Sequence, residues 1–329
     1  MDSIRNVAFD PCSSRWTRTT FVNDSVSLDH RLGHWTKEQV NEPEALRNGK
    51  DCWRKGFVVS SRHVHFPHIS EQLFQMLELA LNSTETFYAL LLLPRFHDNA
   101  WISGLFQSVG DRVVTIDLTC LRSEVQEAKY CFHSLFYFPQ HPTDWFRTAD
   151  GCIQMRSMVL KGLNLTTNGR TQAVILNRKK SRSIHNVEEV AAVVRRYLKV
   201  EPIILDFDNS TFAQQVSNIS TANYLFAAHG AALTNIVFLR PTAMVVEFFP
   251  YNYVPSPKWY DRLATQCGHY HIPIFSGRIS QVKHSKCFWK YHKFTVTDCR
   301  ATYSCRACMR DEDIVVDAKV LAQAIGRLT

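Results

Sequence analysis

Hydrophobic residues in this chain gather into short apolar runs, and between the runs polar and apolar positions recur with helical spacing from residue 56 onward. GFVVS (56–60), FYALLLL (87–93) and RVVTIDL (112–118) have the length and the β-branched or aromatic content of buried strands. Between them, Ser70 to Leu81 (SEQLFQMLELAL) and Asn99 to Ser108 place apolar residues every three to four positions, which predicts helices. The alternation then repeats more cleanly, with strands in QAVILNR (172–178), PIILDF (202–207), NYLFAA (223–228) and AMVVEFFP (243–250), and helices over Val187 to Val200 and Ser210 to Ile219. Asn186 sits where the first of these helices needs a cap, Glu188 and Glu189 fall in its first turn, and Arg195 and Arg196 lie near its end, as the helix dipole favours. Strands alternating with helices predict an α/β fold with parallel sheets covered on both faces. Thr143 to Gly169, rich in turn formers, reads as a hinge between a Rossmann-like domain over 56–160 and a second over 161–329. Residues 1–55 show no sustained period and read as an irregular lead-in or the remains of a stem.

The chain is 329 residues long and 45% hydrophobic, which suffices for two cores. Its net charge of +8 suits an anionic partner. There is no run of five basic residues, no basic amphipathic helix and no zinc-finger spacing, so nucleic acid is not expected. Ten cysteines, an even number, accompany Asn-x-Ser/Thr acceptor sites at Asn23, Asn82, Asn164, Asn209 and Asn218, a combination that favours an oxidising lumen. The apolar run Phe87 to Pro94 falls short of the ~20 residues that span a bilayer, and MDSIRNVAFD has no signal-peptide core. A luminal protein would therefore reach the membrane only through an anchor absent from this chain.

In doubly wound sheets ligands bind beyond the carboxyl ends of the strands, which directs attention to the loops after Leu176, Leu205, Ala228 and Phe249. After Ala228 comes His229-Gly230-Ala231-Ala232-Leu233-Thr234-Asn235, a small-residue turn opening a helix, where unpaired N–H groups suit a diphosphate; a plain strand-to-helix turn would look the same. After Leu176 come Arg178 and Arg182, with Lys179 and Lys180 between them. A guanidinium bonds phosphate in bidentate fashion and keeps its charge, although a solvated basic loop is the ordinary alternative.

Val174 to Pro250 resembles the catalytic region of glycosyltransferase family 61, which includes plant xylan pentosyltransferases and protein-directed N-acetylglucosaminyltransferases. The matching pieces are ILNRKKSRSIHN (Arg178, Arg182, Asn186), STFAQQVSNISTANYLFAAHGAALTN (Phe212, Gln215 and His229 to Asn235) and FLRPTAMVVEFFP (Phe238, Pro241, Glu247, Pro250). Ala232 stands where the family usually has Gly, and Arg240 where it commonly has Pro. The resemblance implies a GT-B architecture, two Rossmann-like doubly wound domains facing a cleft, with acceptor binding in the first and nucleotide-sugar binding in the second. It implies inverting transfer of N-acetylglucosamine or a pentose from a UDP-sugar to a protein-linked or glycan hydroxyl, in the Golgi or endoplasmic reticulum lumen, with no cofactor beyond the donor. Arg178, Arg182, residues 230–235 and Glu247 would bind the nucleotide sugar, and His229, His68 and Glu71 would serve catalysis. His68-Ile69-Ser70-Glu71 opens an amphipathic helix; Glu71 there is either the base, or a group orienting His68, or an ordinary acidic residue complementing the helix dipole.

Three other readings use the same sequence. Asp206 and Asp208 after PIIL could hold Mn²⁺ or Mg²⁺ for a metal-dependent GT-A transferase, or Asp208, Asn209 and Ser210 could simply form a turn and cap for the next helix. Cys287, Cys299, Cys305 and Cys308 could bind zinc, although in a lumen disulfides are the simpler fate. Ala232 and Arg240 also fit a nucleotide-binding pseudoenzyme.

Overall fold

The computed structural model describes residues 2–10, 15–18, 25–29, 34–38, 53–60, 66–84, 87–92, 100–110, 113–117, 130–137, 144–167, 169, 171–255, 259–276 and 286–327; the sequon at Asn23 lies outside them. The chain divides into two compact units, residues 1–162 and 163–329.

The first unit holds one eight-stranded sheet. Its strands are β1 (Asp2–Asp10), β2 (Arg15–Arg18), β3 (Ser25–Asp29), β4 (His34–Glu38), β5 (Trp53–Ser60), β6 (Phe87–Leu92), β7 (Val113–Asp117) and β8 (Tyr130–Tyr137), in the order β4-β3-β2-β1-β8-β5-β6-β7. β8, β5, β6 and β7 pair in parallel, in the spatial order of a Rossmann sheet, while β1 to β4 extend it as antiparallel strands. Residues 2–38, expected to be irregular, thus supply four strands. An antiparallel ladder is built from main-chain hydrogen bonds and can extend a sheet edge without a sustained apolar period.

Helix α1 spans Phe66–Leu81 and α2 Ala100–Val109. The core between them stacks Phe74 on Phe146 (centroids 5.3 Å apart) and sets Phe74 edge-on to Trp101 at 6.2 Å. α1 does not have the amphipathic character that its sequence suggests, because every residue from 69 to 78 is buried. Two of its polar side chains are taken up internally: Glu78 accepts from Arg147 N (2.6 Å) and Thr148 N (2.8 Å), and Gln75 Nε2 donates to Asp144 O. These bonds pin the turn that precedes α3 (Gly151–Gly162), a helix lying within the stretch that reads as a hinge.

The second unit is built on five parallel strands, β9 (Ala173–Leu176), β10 (Pro202–Leu205), β11 (Tyr224–Ala228), β12 (Met244–Phe249) and β13 (Tyr270–Phe275), ordered β10-β9-β11-β12-β13. Their helices are α4 (Val187–Leu198), α5 (Phe212–Ile219), a 3-10 helix η1 (Ala231–Phe238), α6 (Trp259–Gln266), α7 (Lys286–Tyr291), α8 (Val296–Ala301), α9 (Tyr303–Arg310) and α10 (Ala318–Gly326). α4 and α10 cover the face bearing Ile175, Phe226, Val246 and Phe248, all fully buried, each contributing roughly 1.5–3 kcal/mol of transfer free energy. α5, η1 and α6 pack together over Leu225, Val245 and their neighbours, with Phe212 edge-on to Phe238 at 5.6 Å.

Three local expectations change. Asn186 precedes α4 but does not cap it: its amide pairs with the main chain of Val316 (Oδ1 accepts at 2.9 Å, Nδ2 donates at 2.8 Å) and latches the loop to the segment before α10. Thr211, not Ser210, caps α5, in a reciprocal capping box with Gln214. Residues 231–238 form a 3-10 rather than an α-helix.

Candidate functional site

The strand order of the second unit is that of flavodoxin-like sheets, 2-1-3-4-5, whose ligand crevice opens where the order reverses. Here that point lies between β9 and β11. The loop leaving β9 is the one bearing Arg178 and Arg182, and the loop leaving β11 is His229-Gly230.

The basic loop is shaped from its base. Asn177 folds it back by accepting from Ile184 N (2.8 Å), and Ser183 N bonds Asp313 Oδ1 (2.9 Å). Arg182 adopts a left-handed backbone, φ 57°, uncommon for a residue with a side chain, and its Nη1 donates to His229 O at 2.9 Å. Both guanidiniums close on Gly230: a Cβ built there would meet Arg178 Nη1 at 2.8 Å and Arg182 Nη1 at 3.1 Å. Lys179 and Lys180 are exposed, Lys179 reaching Asp206 at 3.3 Å, so the convergent charge is that of the two arginines. Burial, and then the adjacent Arg178 charge, hold the Arg182 guanidinium below its ordinary value. Asp311 offsets part of this but is itself paired with Arg310 at 3.0 Å. Arg182 Nε is buried without a hydrogen-bond partner among the described residues. Two crowded cations, one with an unsatisfied donor, beside the N-terminus of η1 offer the charge and the donors that a multiply charged anion requires.

Behind this rim runs a buried polar chain. Glu247, the one charge in the fully buried strand β12, takes His229 Nδ1 at 2.6 Å and His271 Nε2 at 2.8 Å. His271 Nδ1 in turn lies 3.5 Å from Asp261, and Tyr253 OH lies 3.5 Å from His229 Nε2. Burial pushes the Glu247 carboxyl up, but the bonds and charges of the two histidines outweigh it and hold the group below the ordinary carboxylate range. The His229 ring is enclosed by Phe249 (stacked, 5.2 Å), Tyr253 (5.4 Å) and Tyr260 (edge-on, 5.6 Å). An imidazole held this way positions its own carbonyl and the Gly230 turn. Glu247, bonded to both histidines, is likewise occupied within the protein rather than turned to a ligand hydroxyl.

The four C-terminal cysteines form two disulfides, Cys287–Cys308 and Cys299–Cys305, and so leave no thiolate set for zinc. They staple α7, α8 and α9 into a cap whose buried residues Cys299, Cys305, Met309 and Tyr291 pack with Phe249 and Tyr253, two of the rings around His229.

Several sequence-derived site residues fall elsewhere. Leu233, Thr234 and Asn235 are fully buried; Asn235 Nδ2 ties η1 to Gln215 (3.0 Å) and to its own turn at Ala232 O (3.1 Å). Of the small-residue turn, Gly230, Ala231 and Ala232 remain at the rim. Arg240 N bonds Ala222 O at 3.3 Å and its Nη1 reaches Asn223 at 3.5 Å, ahead of β11, which puts its charge at the opposite end of the sheet from the arginines. Asp206 accepts from Asp208 N at 3.0 Å and faces Lys179, the geometry of a turn rather than of a cation site. His68 and Glu71 belong to the first unit. α1 begins at Phe66, so Glu71 lies beyond its first turn, where the dipole role does not apply, and it is buried at 2% exposure; the side chain of His68 lies outside the described residues. His271 and Asp261 went unrecognised because Pro273 interrupts YHIPIF. Proline is tolerated in β13 because it is an edge strand.

Gly230→Ala gives a sharp test of the rim. The added methyl must displace the ends of two flexible side chains, and it sits on a backbone at φ 159° that residues with side chains rarely adopt, so stability should fall by about 1–3 kcal/mol while affinity for pyrophosphate falls roughly tenfold. Unaltered pyrophosphate binding, measured by calorimetry, would show that the arginines do not act there.

The model of the glycosyltransferase 61 family matches residues 32–246. Protein O-linked-mannose beta-1,4-N-acetylglucosaminyltransferase 2 of Homo sapiens is 31% identical over 88 residues, 27% of this chain and 15% of that protein. Its counterparts in Xenopus tropicalis (32% over 97 residues, 29% and 17%) and Tetraodon nigroviridis (32% over 83 residues, 25% and 14%) are similar to a like extent. The match therefore spans less than a fifth of these relatives' length, whereas the family match covers most of this chain. With the arginine loop and the His-Gly-Ala turn at one rim of a parallel sheet, and with that family match, the chain belongs to glycosyltransferase family 61.

Proposed function

We propose that this protein is an inverting glycosyltransferase that moves a sugar from a UDP-sugar to a hydroxyl of a glycan or glycoprotein, on a GT-B architecture. The observation that carries this reading is the convergence of Arg178 and Arg182 on Gly230 at the switch point of the second sheet. Inverting transfer forms a bond from the acceptor oxygen to the anomeric carbon as the bond to the diphosphate breaks. The acceptor proton passes to a base, and charge accumulates on the departing nucleotide. Two guanidiniums and the open η1 turn supply the neutralisation. For the base we keep His68 or Glu71, which lie one helical turn apart in α1. Of the two donor sugars the sequence leaves open, N-acetylglucosamine is favoured by the names of the relatives.

A lumen of the secretory pathway agrees with the disulfides and with Asn82, Asn164, Asn209 and Asn218, all exposed. Among the described residues no helix is long and apolar enough to cross a membrane.

The test is a thermal-shift screen with UDP, GDP and their sugar conjugates. At about 100 times its dissociation constant a true ligand adds about 2.7 kcal/mol of stability. UDP and UDP-N-acetylglucosamine should raise the midpoint; no response to any nucleoside diphosphate would overturn the assignment. Activity that survives a chelator separates this reading from the metal-dependent one.

A further inference from the structure

The rim described above accounts for a diphosphate but leaves the rest of a nucleotide unplaced. A cavity of about 310 Å³ opens beside it, lined by Tyr251, Asn252, Tyr253, Phe275, Ser276 and Val296. That volume suits a small planar ligand group. Its wall is shared with the anion site, because Tyr253, which lines the cavity, reaches His229 Nε2 with its hydroxyl at 3.5 Å, and His229 O receives Arg182.

The cavity also ends a column of rings. His229 stacks on Phe249 with centroids 5.2 Å apart and planes 26° from parallel; Phe249 stacks on Phe275 at 5.0 Å and 21°. Phe275 closes the column and is 47% exposed, an uncommon position for a phenylalanine beside a half-buried pocket. The polar lining is already fixed: Asn252 Nδ2 donates to Phe294 O at 2.7 Å, and Ser276 Oγ donates to Val315 O at 2.9 Å. Asn252 has a left-handed backbone, φ 54°, which turns the chain around the pocket mouth. The column begins at the buried His229 ring behind the anion rim and ends, two ring spacings away, at an exposed aromatic ring, a spacing on the scale that separates a diphosphate from the base of the same nucleotide.

We infer that this cavity is the nucleoside subsite of the donor and that Phe275 is the shelf on which the planar base stacks. The inference rests on the donor assignment above and adds to it the location of the base. Stacking of a base on an aromatic ring is driven by dispersion and π overlap and needs a single open ring face, whereas Phe249 stacks on Phe275 from within the column.

The experiment compares UDP with inorganic pyrophosphate by calorimetry on the whole chain. Wild type should bind both, UDP more tightly. Phe275→Leu should weaken UDP about tenfold and leave pyrophosphate unchanged, and Phe275→Tyr should restore UDP, since stacking needs the ring rather than its edge. Val296→Trp, at a half-exposed position in the lining, should fill the cavity and block UDP alone. If both Phe275→Leu and Val296→Trp bind UDP as wild type does, the subsite is elsewhere while the donor assignment stands. If wild type binds neither UDP nor pyrophosphate, the donor assignment itself falls. Equal losses for UDP and pyrophosphate in Phe275→Leu would mean that the ring only supports the rim, and would overturn the subsite.

Discussion

Arg178→Ala should lower UDP affinity about a hundredfold with a change in unfolding midpoint of no more than about 2 °C. Each charge-assisted bond to a phosphate contributes about 1.5–3 kcal/mol, and a guanidinium facing a diphosphate makes two of them. Arg178 is half-buried and its end lies against Gly230, so truncation removes ligand bonds rather than core packing. Arg182→Ala should cost as much affinity and somewhat more stability, because His229 O loses the 2.9 Å bond that it receives. Arg182→Lys should not rescue, since an ammonium lacks the planar fork. Calorimetric titration with UDP beside thermal unfolding distinguishes these outcomes, and full affinity in both alanine variants would remove the arginines from the site.

A second large effect is expected at Glu247. Removing one partner from a buried ionic cluster leaves the others unpaired, at a cost of about 3–5 kcal/mol. Glu247→Ala should therefore lower the midpoint by about 10 °C, and by more than His271→Ala does, because Glu247 bonds both histidines. Its acid profile follows from the direction of its shift. The folded-state value is depressed, so the stabilisation is fully present above the ordinary carboxylate range and is lost as pH falls through the lower, folded-state value. Wild type should lose stability on acidification within that window, and Glu247→Gln should show a shallower dependence there. Parallel profiles for the two proteins would mean that Glu247 is not the titrating group.

Much of the second unit was legible as pattern. β9, β11 and β12 announce themselves as apolar runs because both faces of a central parallel strand are buried, which leaves little room for alternation. The loops that carry the arginines and His-Gly-Ala could be named for the same reason, since ligand loops follow such strands at their carboxyl ends. β13 was hidden by Pro273, and β1 to β4 by their dependence on ladder pairing rather than on composition. Asn186 looked like a cap and became a latch to Val316, 130 residues later in the chain, a partner that no local rule names.

What the residues determined alone was therefore the run of elements from β9 to β12, the order of their loops and the chemical types gathered in them: two arginines, a glycine turn, and one carboxylate in an apolar strand. Tertiary structure decided which of these meet. Insertion of β9 between β10 and β11 sets the switch point beside Gly230, parallel pairing of β12 with β13 brings His271 to Glu247, and the disulfide cap encloses the rings around His229. Such contacts join positions far apart in sequence. Their free energy comes from apolar surface and polar groups that exist as a buried environment only after the whole unit has closed.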